Sequence, residues 1–314
     1  MSLLIGLDIG GTKIEAALVD KQTKSVIDRK RVPTERQKGY DQALFKIQDL
    51  VSSLMNDQVE GIGVGLPGSV HPMTKKMLTG NTALFVGRDL EKDLLNIASN
   101  KNSHFSILFD NDANCFALAE TYKGAGLSYY KETNTSPEKQ NALGIILGTG
   151  CGSGIIIQGQ IFSGKNGGAG EAGHTELITG GAPCYCGRSG CAEQYLSGPA
   201  LEAAFNNRLY SQIEKRPSAK EVFELYRQED PIAIAIVKQY KQHLAKFIGN
   251  LNNILDLDYF VLGGGMSLAD EIYEGLEELA SRHSFIPGLR PRIYKHGLSD
   301  GAGSLGAALL HLKK

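Results

Sequence analysis

Twice along this chain a short apolar strand runs into a glycine-rich turn and out into a second apolar strand. The first pass is LIGLDIGGTKIEAALVD, residues 4–20, and the second is LGIILGTGCGSGIIIQG, residues 143–159. No strict repeat links the two, but a chain that builds this unit in each half has a duplicated architecture. Between and after the two units the pattern alternates. Strands are expected at 3–8, at 14–19, in a third segment ending before Pro33, and at 59–66, 106–109 and 259–262. Helices are expected at 40–55, 89–100, after Asp110–Asn114 to about 121, at 193–208 and 230–255, with a last one in GAGSLGAALLHL. Leu44, Ile47, Leu50, Val51 and Leu54 carry the helical spacing of the first. Strands alternating with helices imply an α/β protein. The polar, turn-rich stretch 124–140 reads as a connecting loop.

With 314 residues the chain is long enough for two ordinary domains. Its 33 Lys and Arg nearly balance 34 Asp and Glu, so bulk charge gives no reason to expect a nucleic-acid or acidic-membrane partner. An anionic ligand must then be held by local geometry. Glycine supplies the means: 38 residues, above the usual ~7 %, gathered in short clusters where backbone turns and close approach need them. No signal peptide is visible, and no apolar run approaches the ~20 residues that span a bilayer. The five cysteines are odd in number and clustered, unlike a secreted disulfide scaffold. These features together read as a cytoplasmic protein.

Five motifs carry chemistry. In Asp8-x-Gly10-Gly11-Thr12-Lys13, between two strands, backbone N–H groups and a hydroxyl suit phosphate oxygens, and Asp8 at the strand end suits Mg²⁺, directly or through water. A plain tight hairpin is the alternative. Gly148-Thr149-Gly150-Cys151-Gly152 is a second such turn, and two of them suit the two sides of a polyphosphate. Asp110-Asn111-Asp112-Ala113-Asn114 follows a strand and opens a helix. One of these residues would suffice as a cap, yet four can act as one. Asp112 is the candidate general base toward a substrate hydroxyl, with Asn111 hydrogen-bonding the substrate. Cys184, Cys186 and Cys191 lie close enough to bind one tetrahedral Zn²⁺ if His174 supplies the fourth ligand. The alternative is three unrelated reduced thiols. A full Cys₃His set leaves no open position, so the metal would be structural, fixing the carboxylates of Glu171 and Glu193 for sugar hydroxyls. Gly263-Gly264-Gly265 after an apolar strand suits a nucleoside or marks a strand-to-helix turn.

The stretches DIGGTK, GVGLPG, DNDANCFALAE, LGTGCGSG, EAGH, CYCGRSGCAEQYLSG and VLGGG, in this order across residues 8–265, resemble the ROK family (repressors, open reading frames and sugar kinases) of the actin/hexokinase-like ATPase superfamily. The resemblance implies a two-lobed α/β fold of the ribonuclease H-like ATPase type with a structural zinc site. The smaller lobe would be residues 1–115 completed by a helix at about 302–314, and the larger lobe 116–301. It implies transfer of the γ-phosphate of ATP, with Mg²⁺, to the primary hydroxyl of a sugar. It implies that Gly68, Asn81, Asn111, Asp112, Glu171, His174 and Glu193 face the sugar, and that Gly263 to Gly265 lie by the adenosine. A homodimer is implied as well, without nucleic acid or membrane. ROK repressors carry an N-terminal helix-turn-helix, which this chain is expected to lack. A non-catalytic sugar-sensing protein on the same scaffold is the rival reading, and the intact Asp8, Asp112 and glycine turns argue against it. The stretches PGSVHPMTKKML, PCYCGRSGC and GTGCGSG look closest to fructokinase- and mannokinase-like members, so the expected sugar is a hexose of the fructose, mannose or glucose type, with N-acetylglucosamine or N-acetylmannosamine as the alternative. Ala172 stands where fructokinase-like members often have a bulky Trp, which points away from fructose and toward room for a C2 acetamido group.

Overall fold

The computed structural model describes residues 2–68, 83–96, 105–208, 216–298 and 301–312. Within them the two glycine-turn units start two five-stranded sheets of one topology. The first sheet comprises β1 (Leu3–Ile9), β2 (Lys13–Asp20), β3 (Val26–Pro33), β4 (Val59–Leu66) and β5 (Ser106–Asn111), in the order β3-β2-β1-β4-β5. The second comprises β6 (Ala142–Leu147), β7 (Cys151–Ile157), β8 (Gln160–Ile161), β9 (Tyr259–Gly263) and β10 (Ile293–Lys295), in the order β8-β7-β6-β9-β10. Matching strand for strand, the orders confirm the duplication read from the sequence. In the first sheet β1, β2 and β3 pair antiparallel, while β4 and β5 are added in parallel to β1.

The helices are α1 (Tyr40–Leu54), α2 (Leu90–Leu95), α3 (Asp112–Lys123), α4 (Ala125–Thr133), α5 (Glu193–Leu196), α6 (Gly198–Asn206), α7 (Ala219–Arg227), α8 (Pro231–Leu255), α9 (Leu276–Ser281) and α10 (Ala302–Leu309). Helix α1 buries Ala43, Ile47, Leu50, Val51 and Leu54, the i, i+3, i+4 stripe that a sheet-facing helix requires. These side chains join Ile5, Leu7, Ile14, Ile62 and Val64 in one core. At ~1.5–3 kcal/mol per buried aliphatic side chain, this cluster is a main source of stability. Helix α8 starts where Asp230 accepts from the N–H groups of Ile232 and Ala233 at 2.9 and 2.8 Å, with Pro231 in the first turn, where a missing N–H costs nothing.

The chain forms two compact units. One holds Met1–Gln140, Gly154–Ala169 and Gly297–Lys314; the other holds Asn141–Ser153 and Gly170–His296. The boundary expected at 115/116 falls inside α3 and does not divide compact units, because α3 packs along α10 of the same unit. Helix α10 lies directly on β1 and β4: a Cβ at Gly6 would strike the Ser304 carbonyl, and one at Gly63 the Ala307 carbonyl.

Two further expectations are corrected. Residues 124–140 contain α4 and a short turn of 3₁₀ helix, Pro137–Lys139. Buried Glu120 accepts the Ala125 N–H at 2.9 Å, and buried Gln140 donates to the carbonyls of Gly126 and Thr135 at 2.9 and 2.8 Å. Polar residues thus order this stretch from inside, which a hydrophobic period does not reveal. The helix expected at 193–208 is two helices, broken at Ser197, whose extended backbone and side chain cap α6. Pro199 follows in its first turn, and proline is tolerated there but not in a helix interior.

Candidate active site

In the first unit, Asp8, next to last in β1, lies opposite Glu15 of β2. The turn that follows is closed by Gly10 N–H donating to the Lys13 carbonyl at 2.9 Å. It is braced by Thr34, whose N–H donates to the Thr12 carbonyl at 2.9 Å and whose hydroxyl donates to the Gly10 carbonyl at 2.8 Å. The Asp8 carboxylate faces Gly303 in the first turn of α10. The positive end of a helix dipole favours an anion there.

The β5–α3 junction gathers the Asp/Asn cluster. The Asn111 Oδ1 accepts from Ala113 N–H at 2.8 Å, capping α3, and its Nδ2 donates to the Gly68 carbonyl at 3.1 Å. These two bonds fix which way its amide points. Asp112 is the first residue of α3, half-buried, with Oδ1 accepting from Ala113 N–H at 2.8 Å. Sequence reasoning had no role for Asp110. It is buried, and its Oδ1 accepts from Asn111 N–H at 2.8 Å and Asn114 Nδ2 at 2.7 Å, while Ser163 Oγ donates to Oδ2 at 3.3 Å. The signal for it was present: four Asp or Asn residues in five positions exceed what one cap needs. Asn81, expected to face the sugar, lies outside the described residues.

The second unit holds the second glycine turn and the cysteine cluster. Gly148 N–H donates to the Gly150 carbonyl at 3.0 Å, and Gly198 N–H, at the start of α6, donates to the Gly148 carbonyl at 2.8 Å. Gly264 has φ 81° and lies against the Leu147 carbonyl. The Gly263–Gly265 turn therefore stands beside the Gly148–Gly152 turn.

His174, Cys184, Cys186 and Cys191 converge, with one donor atom of each within 4.8 Å of all the others. Cys186 Sγ to Cys191 Sγ is 3.6 Å and Cys184 Sγ to His174 Nδ1 is 3.7 Å. A tetrahedron with Zn–S of ~2.3 Å and Zn–N of ~2.0–2.1 Å has S···S and S···N edges of about 3.8 and 3.6 Å. The donor set and its spacing fit Zn²⁺. Cys186 is exposed; N–H donors of Arg188, backbone first and then guanidinium, lower its thiol to about 6. With Nδ1 on the cluster, His174 turns Nε2 to the Tyr185 hydroxyl at 3.1 Å.

Glu171 is exposed and precedes the 3₁₀ turn Ala172–His174. Glu193, the first residue of α5, is buried, and its Oε2 accepts the Cys151 N–H at 2.9 Å. Burial first, and the Glu193 carboxylate second, push the Cys151 thiol up to about 12. The bond from Glu193 to the second glycine turn was not foreseen from the sequence. Among the described residues no helix is long and apolar enough to cross a membrane.

Residues 4–314 match the ROK family model. The chain is 35 % identical to an N-acetyl-D-glucosamine kinase of Yersinia pseudotuberculosis over 98 % of each protein. Among solved structures it is similar to a ROK hexokinase from Thermus thermophilus, with TM-score 0.83, 27 % identity and coverage of 98 % and 97 %. It is also similar to a ROK family glucokinase from Streptomyces griseus in complex with glucose and AMPPNP, with TM-score 0.76, 26 % identity and coverage of 98 % and 99 %. Two sheets of one topology, a Cys₃His cluster beside a glycine turn, and matches that run the length of the chain agree: this protein belongs to the ROK family.

Proposed function

We propose that this protein is an ATP-dependent sugar kinase whose acceptor is the primary hydroxyl of N-acetyl-D-glucosamine. The β5–α3 junction carries the kinase reading, because Asn111 and Asp112 are anchored side by side at a helix N-terminus. The full-length similarity to an N-acetyl-D-glucosamine kinase supports this choice of sugar. The buried, small Ala172 beside Glu171 agrees with a sugar that carries a bulky C2 substituent.

On this reading Asn111, Glu171, His174, Glu193 and the backbone at Gly68 hold the sugar hydroxyls. Asp112 takes the proton of the primary hydroxyl as its oxygen attacks the γ-phosphorus in line. A new phosphate ester forms, the bond to the β-phosphate oxygen breaks, and ADP leaves. A carboxylate is a weak base for an alcohol, but positioning and charge neutralisation dominate phosphoryl transfer. The turns at Asp8–Lys13 and Gly148–Gly152 take the phosphates, and Gly263–Gly265 the adenosine. Asp8 would hold Mg²⁺, directly or through water, and that ion neutralises phosphate charge. The cluster of His174, Cys184, Cys186 and Cys191 would hold a structural Zn²⁺. The reading includes a cytoplasmic homodimer, which light scattering on the purified protein tests.

Sugar-dependent ADP release, measured with N-acetylglucosamine, N-acetylmannosamine, glucose, mannose and fructose, decides the function. N-acetylglucosamine is expected to give the highest kcat/KM. The ROK hexokinase and glucokinase neighbours favour glucose as the second reading. No sugar-dependent release with any of the five would defeat the kinase reading.

A further inference from the structure

The zinc-site residues and the second glycine turn are tied together through a single backbone unit, Cys151. The 3₁₀ turn that ends in His174 lies against its carbonyl. A Cβ at Gly173 would run into the Cys151 carbonyl, so only glycine permits this approach. Glu193, two residues after Cys191, reaches the same unit: its Oε2 accepts the Cys151 N–H at 2.9 Å. The same carboxylate lies against Gly150, where a Cβ would meet Oε2. The two segments are joined to each other as well: Ala192 N–H donates to the Thr175 carbonyl at 2.9 Å, and Glu176 bridges to Cys191.

A buried carboxylate needs hydrogen-bond donors, and Cys151 N–H supplies one to Glu193. The energetic consequence runs both ways. Whatever fixes His174 and Cys191 also fixes the start of β7, where the glycine turn ends. A turn that binds phosphate through its N–H groups must keep those groups converging, and glycine-rich backbone does not do so unaided.

We propose that the His174, Cys184, Cys186 and Cys191 site positions the Gly148–Gly152 turn for nucleotide, with Glu193 as the positioning residue. The metal would then serve the nucleotide as well as the sugar. This inference rests on the reading that the Gly148–Gly152 turn takes phosphate, and the test separates the two.

The test is calorimetric binding of ADP in Mg²⁺ buffer without sugar, to protein of measured zinc content whose fold is checked by circular dichroism. Outer partners of metal ligands typically carry about 10–100-fold in metal affinity or activity, and the low end of that range is the effect expected on the turn. Zinc-stripped protein is therefore expected to bind ADP about tenfold more weakly and to recover when zinc is restored. Glu193→Ala is expected to weaken ADP by a similar factor while retaining zinc. Glu193→Gln, whose amide oxygen can still accept the Cys151 N–H, is expected to keep wild-type ADP affinity. Unchanged ADP affinity in both the stripped protein and Glu193→Ala would overturn the proposal. So would equal losses in Glu193→Gln and Glu193→Ala, which would make charge the cause and not the bond to Cys151. Should wild-type protein fail to bind ADP at all, the kinase reading fails first, and this inference with it.

Discussion

At the scale of single residues, the β5–α3 junction separates three jobs that the sequence shows only as a run of Asp and Asn. Asp110 is buried and organises its neighbours, Asn111 caps and points, and Asp112 is the candidate base. Asp112→Asn keeps shape and hydrogen-bonding size but removes the proton acceptor. It is expected to bind N-acetylglucosamine as the wild type does while kcat falls about 10²–10⁴-fold. Sugar titration beside a turnover assay checks this, and an unchanged kcat would end the assignment. Glu193 shows where residue-level reading stops. Its place two positions after Cys191 suggested that the metal site fixes it. Its bond to Cys151, 42 residues away in sequence, depends on tertiary approach that no local spacing encodes.

At the scale of elements, legibility followed the source of order. Helices α1 and α8 were readable because an apolar stripe or an Asp-Pro start marks them. Helix α4 was not, since its order comes from buried hydrogen bonds. Glu120 is fully buried and accepts three backbone N–H groups: Ala125 and Gly297 at Oε2 and Leu298 at Oε1, each at 2.9 Å. One carboxylate thus closes the α3–α4 corner and holds a strand-distant segment of the chain. Glu120→Ala would leave these donors without it, at about 1–3 kcal/mol for each that stays unsatisfied. Urea unfolding should show a loss of ~3 kcal/mol or more, with Glu120→Gln losing less. A stability change within ~0.5 kcal/mol would mean that water replaces the carboxylate.

At the scale of the molecule, each unit holds a half-buried histidine. Partial burial, the largest cause in each case, lowers the pKa of His311 in the first unit and of His243 in the second. Their unfolded-state value is ~6.5, so below it the unfolded chain binds more protons than the native one. Stability is then full above about pH 6.5 and is lost as pH falls through that value. Denaturation at about pH 7.5 and 5.5 should show the drop. It should be smaller in His311→Gln, because the His311 ring lies against Gly61 with Nε2 buried and without a partner.

The first unit is assembled from three separated stretches of chain, and α10 closes over β1 and β4 with their glycines against its backbone. A chain stopped after Leu298 should be insoluble or rapidly degraded; good soluble yield would argue against that. During synthesis, β1 and β4 leave the ribosome long before residues 302–309, which cover them. The second unit has all its segments once His296 has emerged. The half of the protein made first is thus the half that finishes last, and its exposed strands must be kept from other chains until the final helix arrives.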